Sequence, residues 1–119
     1  MDIQIDQKGL WYHGSNVEFA VLREGSTVTQ WKALAEAFSH KPTMLGIEDD
    51  GTIFHNGKEQ GVLYIIDEPV ELDVDVVPHP RTTMEKNSEF LTTRPLKVKR
   101  IGKTDDPRPE QGEFSILRP

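Results

Sequence analysis

Trp11-Tyr12-His13-Gly14-Ser15 is the stretch on which the fold turns. Leu10, Trp11 and Tyr12 read as the start of a buried strand, and the apolar run stops at a histidine, a glycine and a hydroxyl. Glycine has no Cβ, so the backbone at Gly14 can lie close to another group. A histidine at a strand end, followed by glycine and serine, suits the holding of a polar ligand. The same residues also describe a plain turn after a strand. Local chemistry leaves both readings standing, and the rest of the chain has to arbitrate.

Working outward, the chain reads as many short strands and one main helix. Trp31, Leu34, Ala35 and Phe38 recur at i, i+3, i+4 and i+7, which predicts a helix over 30–40 with one apolar face. Thr27 or Thr29 can cap its start, and Thr27 with Gln30 has capping-box spacing. Pro42 ends it, because the residue before a proline avoids the α region. Between 41 and 61 the signals are turns: Lys41-Pro42, Asp49-Asp50-Gly51 and Asn56-Gly57. Asn56-Gly57 marks a hairpin if strands flank it, with 52–55 as one flank. The apolar β-formers of 62–66 predict a central buried strand. Val70, Leu72, Val74 and Val76 alternate with Glu71, Asp73, Asp75 and Val77, which predicts a strand with one carboxylate face. Two further strands are expected over 89–93 and 96–101. The sum is an α+β chain in which strands and helices do not alternate as in a doubly wound sheet.

Length and charge narrow the function classes. The chain has 119 residues, no cysteine and a formal net charge of −6. That is the size of one domain, and a chain this long buries roughly two-thirds of its unfolded surface without staples. We expect a single domain over 1–104 and a polar tail over 105–119, with Phe114, Ile116 and Leu117 able to dock its end as an edge strand. The absence of cysteine excludes disulfides and suits a reducing cytosol, so a cytoplasmic location is expected. No apolar run approaches the roughly 20 residues needed to span a bilayer, and the first six residues do not resemble a signal peptide. Nonspecific nucleic-acid binding rests on basic surface, so an acidic chain is an unexpected candidate for it. The basic strip Lys97, Lys99, Arg100 and Lys103 also fits the solvent face of a strand.

Known chemical motifs are mostly missing. His13, His40, His55 and His79 show no metal-ligand spacing. Glu48-Asp49-Asp50-Gly51 lacks the alternating ligands and closing glutamate of an EF-hand and reads as a turn. Ser15 has no nucleophile elbow, and no Gly-rich phosphate loop is present.

Three segments in order resemble the ADP-ribosyltransferase superfamily, especially its small rifamycin-modifying branch. They are Tyr12-His13-Gly14-Ser15; Val28-Thr29-Gln30 running into Leu34, Ala35, Ala37 and Phe38; and Leu63-Tyr64-Ile65-Ile66-Asp67-Glu68-Pro69, followed by Glu89-Phe90-Leu91-Thr92-Thr93-Arg94-Pro95-Leu96-Lys97-Val98. Together they span roughly residues 10–102. The resemblance implies split antiparallel β-sheets with one main helix, and a transferase that consumes NAD, releases nicotinamide and passes ADP-ribose to an acceptor the sequence does not identify. His13 would bond the nicotinamide-side ribose and the Gly14 backbone would hold the nicotinamide amide. Ser15, Thr27 and Thr29 would complete the NAD-binding set. Thr27 stands where many members place a tyrosine that stacks on nicotinamide; Phe38 and Tyr64 are the other aromatic candidates, at different positions. Glu89 matches the catalytic glutamate of polymerase-like members. Asp73 or Asp75 would be the counterpart of the aspartate used by the rifamycin-modifying branch, and Glu89 is favoured over them. Two alternatives stand beside the enzyme: a catalytically degenerate member of the fold that binds a nucleotide or a protein, and an unrelated acidic β-rich interaction module.

Overall fold

The structure is a computed structural model that describes residues 3–82, 84 and 87–103. Its elements are β1 (Tyr12–Ser15), β2 (Val21–Leu22), β3 (Thr27–Val28), α1 (Lys32–Ser39), β4 (Leu45–Ile47), β5 (Ile53–His55), β6 (Val62–Ile66), β7 (Val76–Pro78), β8 (Phe90–Thr92) and β9 (Leu96–Lys103). The strands form a four-stranded sheet ordered β1-β6-β9-β2, a three-stranded sheet β3-β8-β7, and the hairpin β4-β5. All strand pairs are antiparallel. The chain is therefore α+β, mostly antiparallel sheet with one helix, as its local patterns predict.

The core lies between the two larger sheets. Trp11, Leu22, Ile66 and Leu96 come from the first, and Val28, Val76 and Phe90 from the second. Trp11 and Phe90 meet edge to face, with ring centroids 4.9 Å apart, a preferred aromatic arrangement. Burial of this cluster drives the sheets together, since apolar area removed from water is the dominant favourable term in folding. Among the described residues, one isolated backbone bridge joins the two sheets. Tyr12 of β1 exchanges both backbone hydrogen bonds with Thr29, just beyond β3: N–H to O at 2.7 Å and the reverse at 3.0 Å. Beyond this single bridge β1 and β3 part.

Helix α1 packs on the outer face of β1 and β6. Gly14 makes the approach possible: a Cβ built on it would lie 1.8 Å from the Ala35 carbonyl oxygen and 2.9 Å from the Ser39 nitrogen. Only a residue without a side chain fits there. The close approach also selects the helix face. Leu34, Ala35, Ala37 and Ser39 are buried, whereas Trp31 and Phe38 of the expected apolar face are half-exposed. Small residues turn to the sheet because the helix backbone lies almost against the strand.

Several local expectations are corrected. The helix begins at Lys32 with Trp31 as N-cap and no side-chain cap on it. Thr29 Oγ1 instead accepts the Trp31 N–H at 3.0 Å. Gln30 forms no capping box, because its amide is committed to both backbone groups of Asp6. The hairpin of the 41–61 stretch is β4-β5, closed by 48–51 through Glu48 N–H to Thr52 O at 2.8 Å. Asn56-Gly57 is not its turn: Asn56 Oδ1 accepts the N–H groups of Thr43 and Met44 and fastens the hairpin's base. The expected strand over 70–77 is broken by a turn at 73–75, and only Val76–Pro78 pairs with β8. Asp75 causes the break by accepting the Glu71 N–H at 2.8 Å and folding the chain back. The tail with Phe114, Ile116 and Leu117 lies outside the described residues. Among the described residues no helix is long and apolar enough to cross a membrane.

Candidate functional site

His13 sits where the two sheets part. Its Nδ1 lies 2.6 Å from the Thr27 carbonyl oxygen. A carbonyl only accepts, so Nδ1 carries the proton and Nε2 of the neutral ring is an acceptor. Burial pushes the His13 pKa below the ordinary 6.5; the Thr27 hydrogen bond opposes this and the Lys41 charge adds to it. The ring is therefore neutral at pH 7. Phe19 flanks it at 5.7 Å between centroids and stacks in turn on Tyr64 at 4.7 Å. Tyr64 is 1% exposed, and its hydroxyl donates to Val17 O and accepts from Phe19 N–H. It is structural and cannot stack on a ligand.

Gly14 presents backbone at the same opening. In an antiparallel ladder, successive residues turn their N–H and C=O to opposite edges. Trp11 O accepts from Ile66 on the β6 side, and Tyr12 turns both groups to Thr29 on the other. Gly14, two residues beyond Tyr12, thus turns its N–H and C=O to the Thr29 edge. There the β1–β3 pairing has ended, and no described residue hydrogen-bonds either group. Ser15 plays the turn role instead: it is buried, and its hydroxyl accepts the Val17 N–H at 3.1 Å. Thr29 is buried with its hydroxyl spent on Trp31. Thr27 contributes its carbonyl to His13.

Glu89 lies on another element. It immediately precedes β8, whose Phe90 and Leu91 pair with Val28 and Thr27 of β3. β3 thus has β1 on one side and β8 on the other. Glu89 opens into a cleft of about 470 Å³ whose lining includes Phe38, Lys41, His79, Arg81, Thr82 and Met84. His79 and Thr82 hold the glutamate: His79 N–H donates to its carbonyl at 3.0 Å, and the Thr82 hydroxyl donates to Oε2. His13 and Gly14 do not line this cleft. Lys41 connects the two places, since it lines the cleft and its charge acts on His13.

The aspartates fall elsewhere. Asp73 is exposed in the 73–75 turn with a left-handed φ of 69°, and it does not line the Glu89 cleft. Asp75 is held by Arg94 at 2.9 Å, and the same guanidinium takes Glu68 at 2.9 Å. The Arg94 hydrogen bond to Asp75, and the Lys97 N–H with Arg94 on Glu68, keep both carboxyls below their ordinary range. Asp75 is thus a fastening between the turn and the segment before β9. Of the basic strip, Lys97 and Lys99 are exposed and Arg100 pairs with Glu18 at 3.1 Å.

The site therefore brings His13, Gly14 and Thr27 to one opening and Glu89 to an adjoining cleft. Lys41, His79, Arg81 and Thr82 carry no individual site role in the sequence; they belong to the 41–61 loop and the 79–88 segment, which the sequence marks as the places expected to shape an acceptor, since binding residues concentrate on loops. Comparison with protein-family models, with curated proteins and with solved structures returns no match.

Proposed function

We propose that this chain is an NAD-dependent ADP-ribosyltransferase. One observation carries it: on the β1 edge that parts from β3, the Gly14 N–H and C=O have no hydrogen-bond partner among the described residues. A donor and an acceptor side by side on one residue are complementary to a primary carboxamide, the group nicotinamide presents. The neutral His13 ring beside them offers Nε2 as an acceptor for a sugar hydroxyl. In the reaction, the bond between ribose C1′ and the nicotinamide nitrogen breaks, with its electron pair leaving on nicotinamide. The acceptor's nucleophilic atom then bonds C1′ and loses its proton. Positive charge develops on the ribose in between, and a carboxylate nearby stabilises it. Glu89 fills that role in this reading.

The test is direct. With NAD added, the amide signals of His13 and Gly14 shift, the melting temperature rises by linkage, and nicotinamide is released. Glu89→Gln abolishes the release while the fold persists. Absence of any shift at millimolar NAD refutes the proposal. Unchanged turnover in Glu89→Gln removes Glu89 from it.

A second reading, a nucleotide-binding module without turnover, is favoured by one feature: His13 and Gly14 do not line the cleft that holds Glu89. Under that reading NAD shifts the Gly14 and His13 amides, and no nicotinamide appears.

A further inference from the structure

The cleft beside Glu89 concentrates positive charge in an acidic chain. The sequence has 20 acidic against 14 basic residues. Yet among the described residues neither Lys41 nor Arg81 forms an ion pair, although both line the cleft with Glu89. The Glu89 carboxylate is engaged instead by the neutral Thr82 hydroxyl. That arrangement leaves the two cations available, where a direct pair with Glu89 would have cancelled one of them.

The local backbone at these residues is specific. Arg81 N–H donates to His79 Nδ1 at 3.1 Å. With Nδ1 accepting, the neutral ring carries its proton on Nε2, which is then a donor. Lys41 follows the helix with φ 54°, a left-handed conformation that glycine or asparagine adopts at little cost and lysine does not. Pro42 comes directly after it and further narrows the backbone choices at Lys41. A long cation is thus kept at a position where its backbone is strained, and residues held this way cluster at binding sites. Lys41, Arg81 and His79 line the same cleft, so an ammonium-bearing, a guanidinium-bearing and an imidazole side chain share one site. Phe38, Pro42, Leu45 and Met84 supply an apolar surface next to them.

We infer that this cleft binds the phosphate group of a second substrate, a phosphomonoester with a flat apolar body, of which a nucleoside monophosphate is the simplest example. Arginine matches phosphate oxygens with parallel N–H donors, and lysine adds a point charge. The apolar wall receives the body of the molecule. His13 and Gly14 do not line the cleft, so the phosphate belongs to a molecule other than the one gripped at the β1 edge. The assignment of that molecule as acceptor rests on the transferase proposal; the phosphate site itself does not.

The experiment separates the two. Adenosine 5′-monophosphate, inorganic phosphate and adenosine are titrated separately into the protein, without NAD, while the amide signals of Lys41, His79 and Arg81 are followed. Saturable shifts are expected with the monophosphate, smaller ones with phosphate, and none with adenosine. Lys41→Gly removes the ammonium while relaxing the backbone, and Arg81→Gln keeps the loop's length and polarity. Each is expected to weaken monophosphate binding about tenfold, the loss of one charge-assisted contact. Lys99→Gln on β9 is expected to change nothing. Equal loss in Lys99→Gln, or no loss in either cleft variant, overturns the site. NAD and nicotinamide riboside form the second arm. If NAD binding weakens in Lys41→Gly as much as monophosphate binding does, while riboside binding does not, the phosphate is the dinucleotide's own and the second-substrate assignment falls. If NAD does not bind at all but the monophosphate shifts persist, the transferase proposal fails and the phosphate site stands.

Discussion

Gly14→Ala tests the reason for the glycine independently of any ligand. The new Cβ would sit 1.8 Å from Ala35 O, 2.8 Å from Ala35 C and 2.9 Å from Ser39 N, all backbone atoms of α1. No side-chain rotation relieves a clash with helix backbone. To restore an ordinary 3.4 Å contact from 1.8 Å, the helix must retreat by about 1.6 Å. That retreat opens the interface holding Leu34 and Ala35, both at 0% exposure. Overpacking of this kind costs about 2–4 kcal/mol, at the upper end of the usual range because a whole element has to move. For a chain of this size that is a fall of about 8–16 °C in melting temperature. The assay is urea and thermal unfolding followed by circular dichroism and Trp fluorescence. Gly25→Ala is the comparison: no atom lies within 4 Å of its added Cβ, but its φ is +82°. Only a backbone cost of about 1 kcal/mol is expected there. If Gly14→Ala unfolds within a degree or two of the parent, or loses no more than Gly25→Ala, the packing argument is refuted and Gly14 has to be explained by ligand access alone.

Other outcomes follow from the same geometry. Tyr64→Phe keeps the stack on Phe19 but leaves Val17 O and Phe19 N–H without their buried partner. It is expected to cost about 1–3 kcal/mol, and a midpoint unchanged in urea would contradict that. Arg94→Met frees Asp75 and Glu68, whose folded pKa values lie below the unfolded 3.8 and 4.5. Groups with depressed pKa stabilise above their unfolded values and lose that contribution as pH falls through the folded ones. The parent's advantage over Arg94→Met is therefore expected to be full at pH 7 and to shrink below about pH 4. A difference independent of pH in paired unfolding curves would show that Arg94 acts through packing.

Much of the architecture is local and was legible. The run Val62-Leu63-Tyr64-Ile65-Ile66 is strand β6 with the expected bounds. It is central in its sheet, between β1 and β9; α1 covers one face of that sheet and the inter-sheet core the other, so an unbroken apolar run results. The period-two pattern over 70–77 misled for an equally local reason. Alternation records which residues are apolar; it does not record that Asp75 takes the Glu71 amide and turns the chain. The capping box misled because Gln30 is spent on Asp6, 24 residues away. Among candidate site residues, His13 and Glu89 are singled out by the ordered motifs of the resemblance. Ser15 and Thr29 have their hydroxyls satisfied by the backbone two residues on, chemistry that the same letters carry in any turn.

Composition, β-rich patterning and the helix period follow from the sequence by itself, because each depends on neighbours a few residues apart. What the tertiary structure decided depends on partners far along the chain. The pairing of Tyr12 with Thr29 and the departure of β3 just beyond it leave the Gly14 backbone open. The seating of α1 on Gly14 makes that residue a packing requirement. The return of residues 79–82 onto Glu89 brings His79 and Arg81 into the lining of one cleft with Lys41. A sequence names the groups, but only sheet register and helix docking set which edge is unpaired and which charges share a cleft.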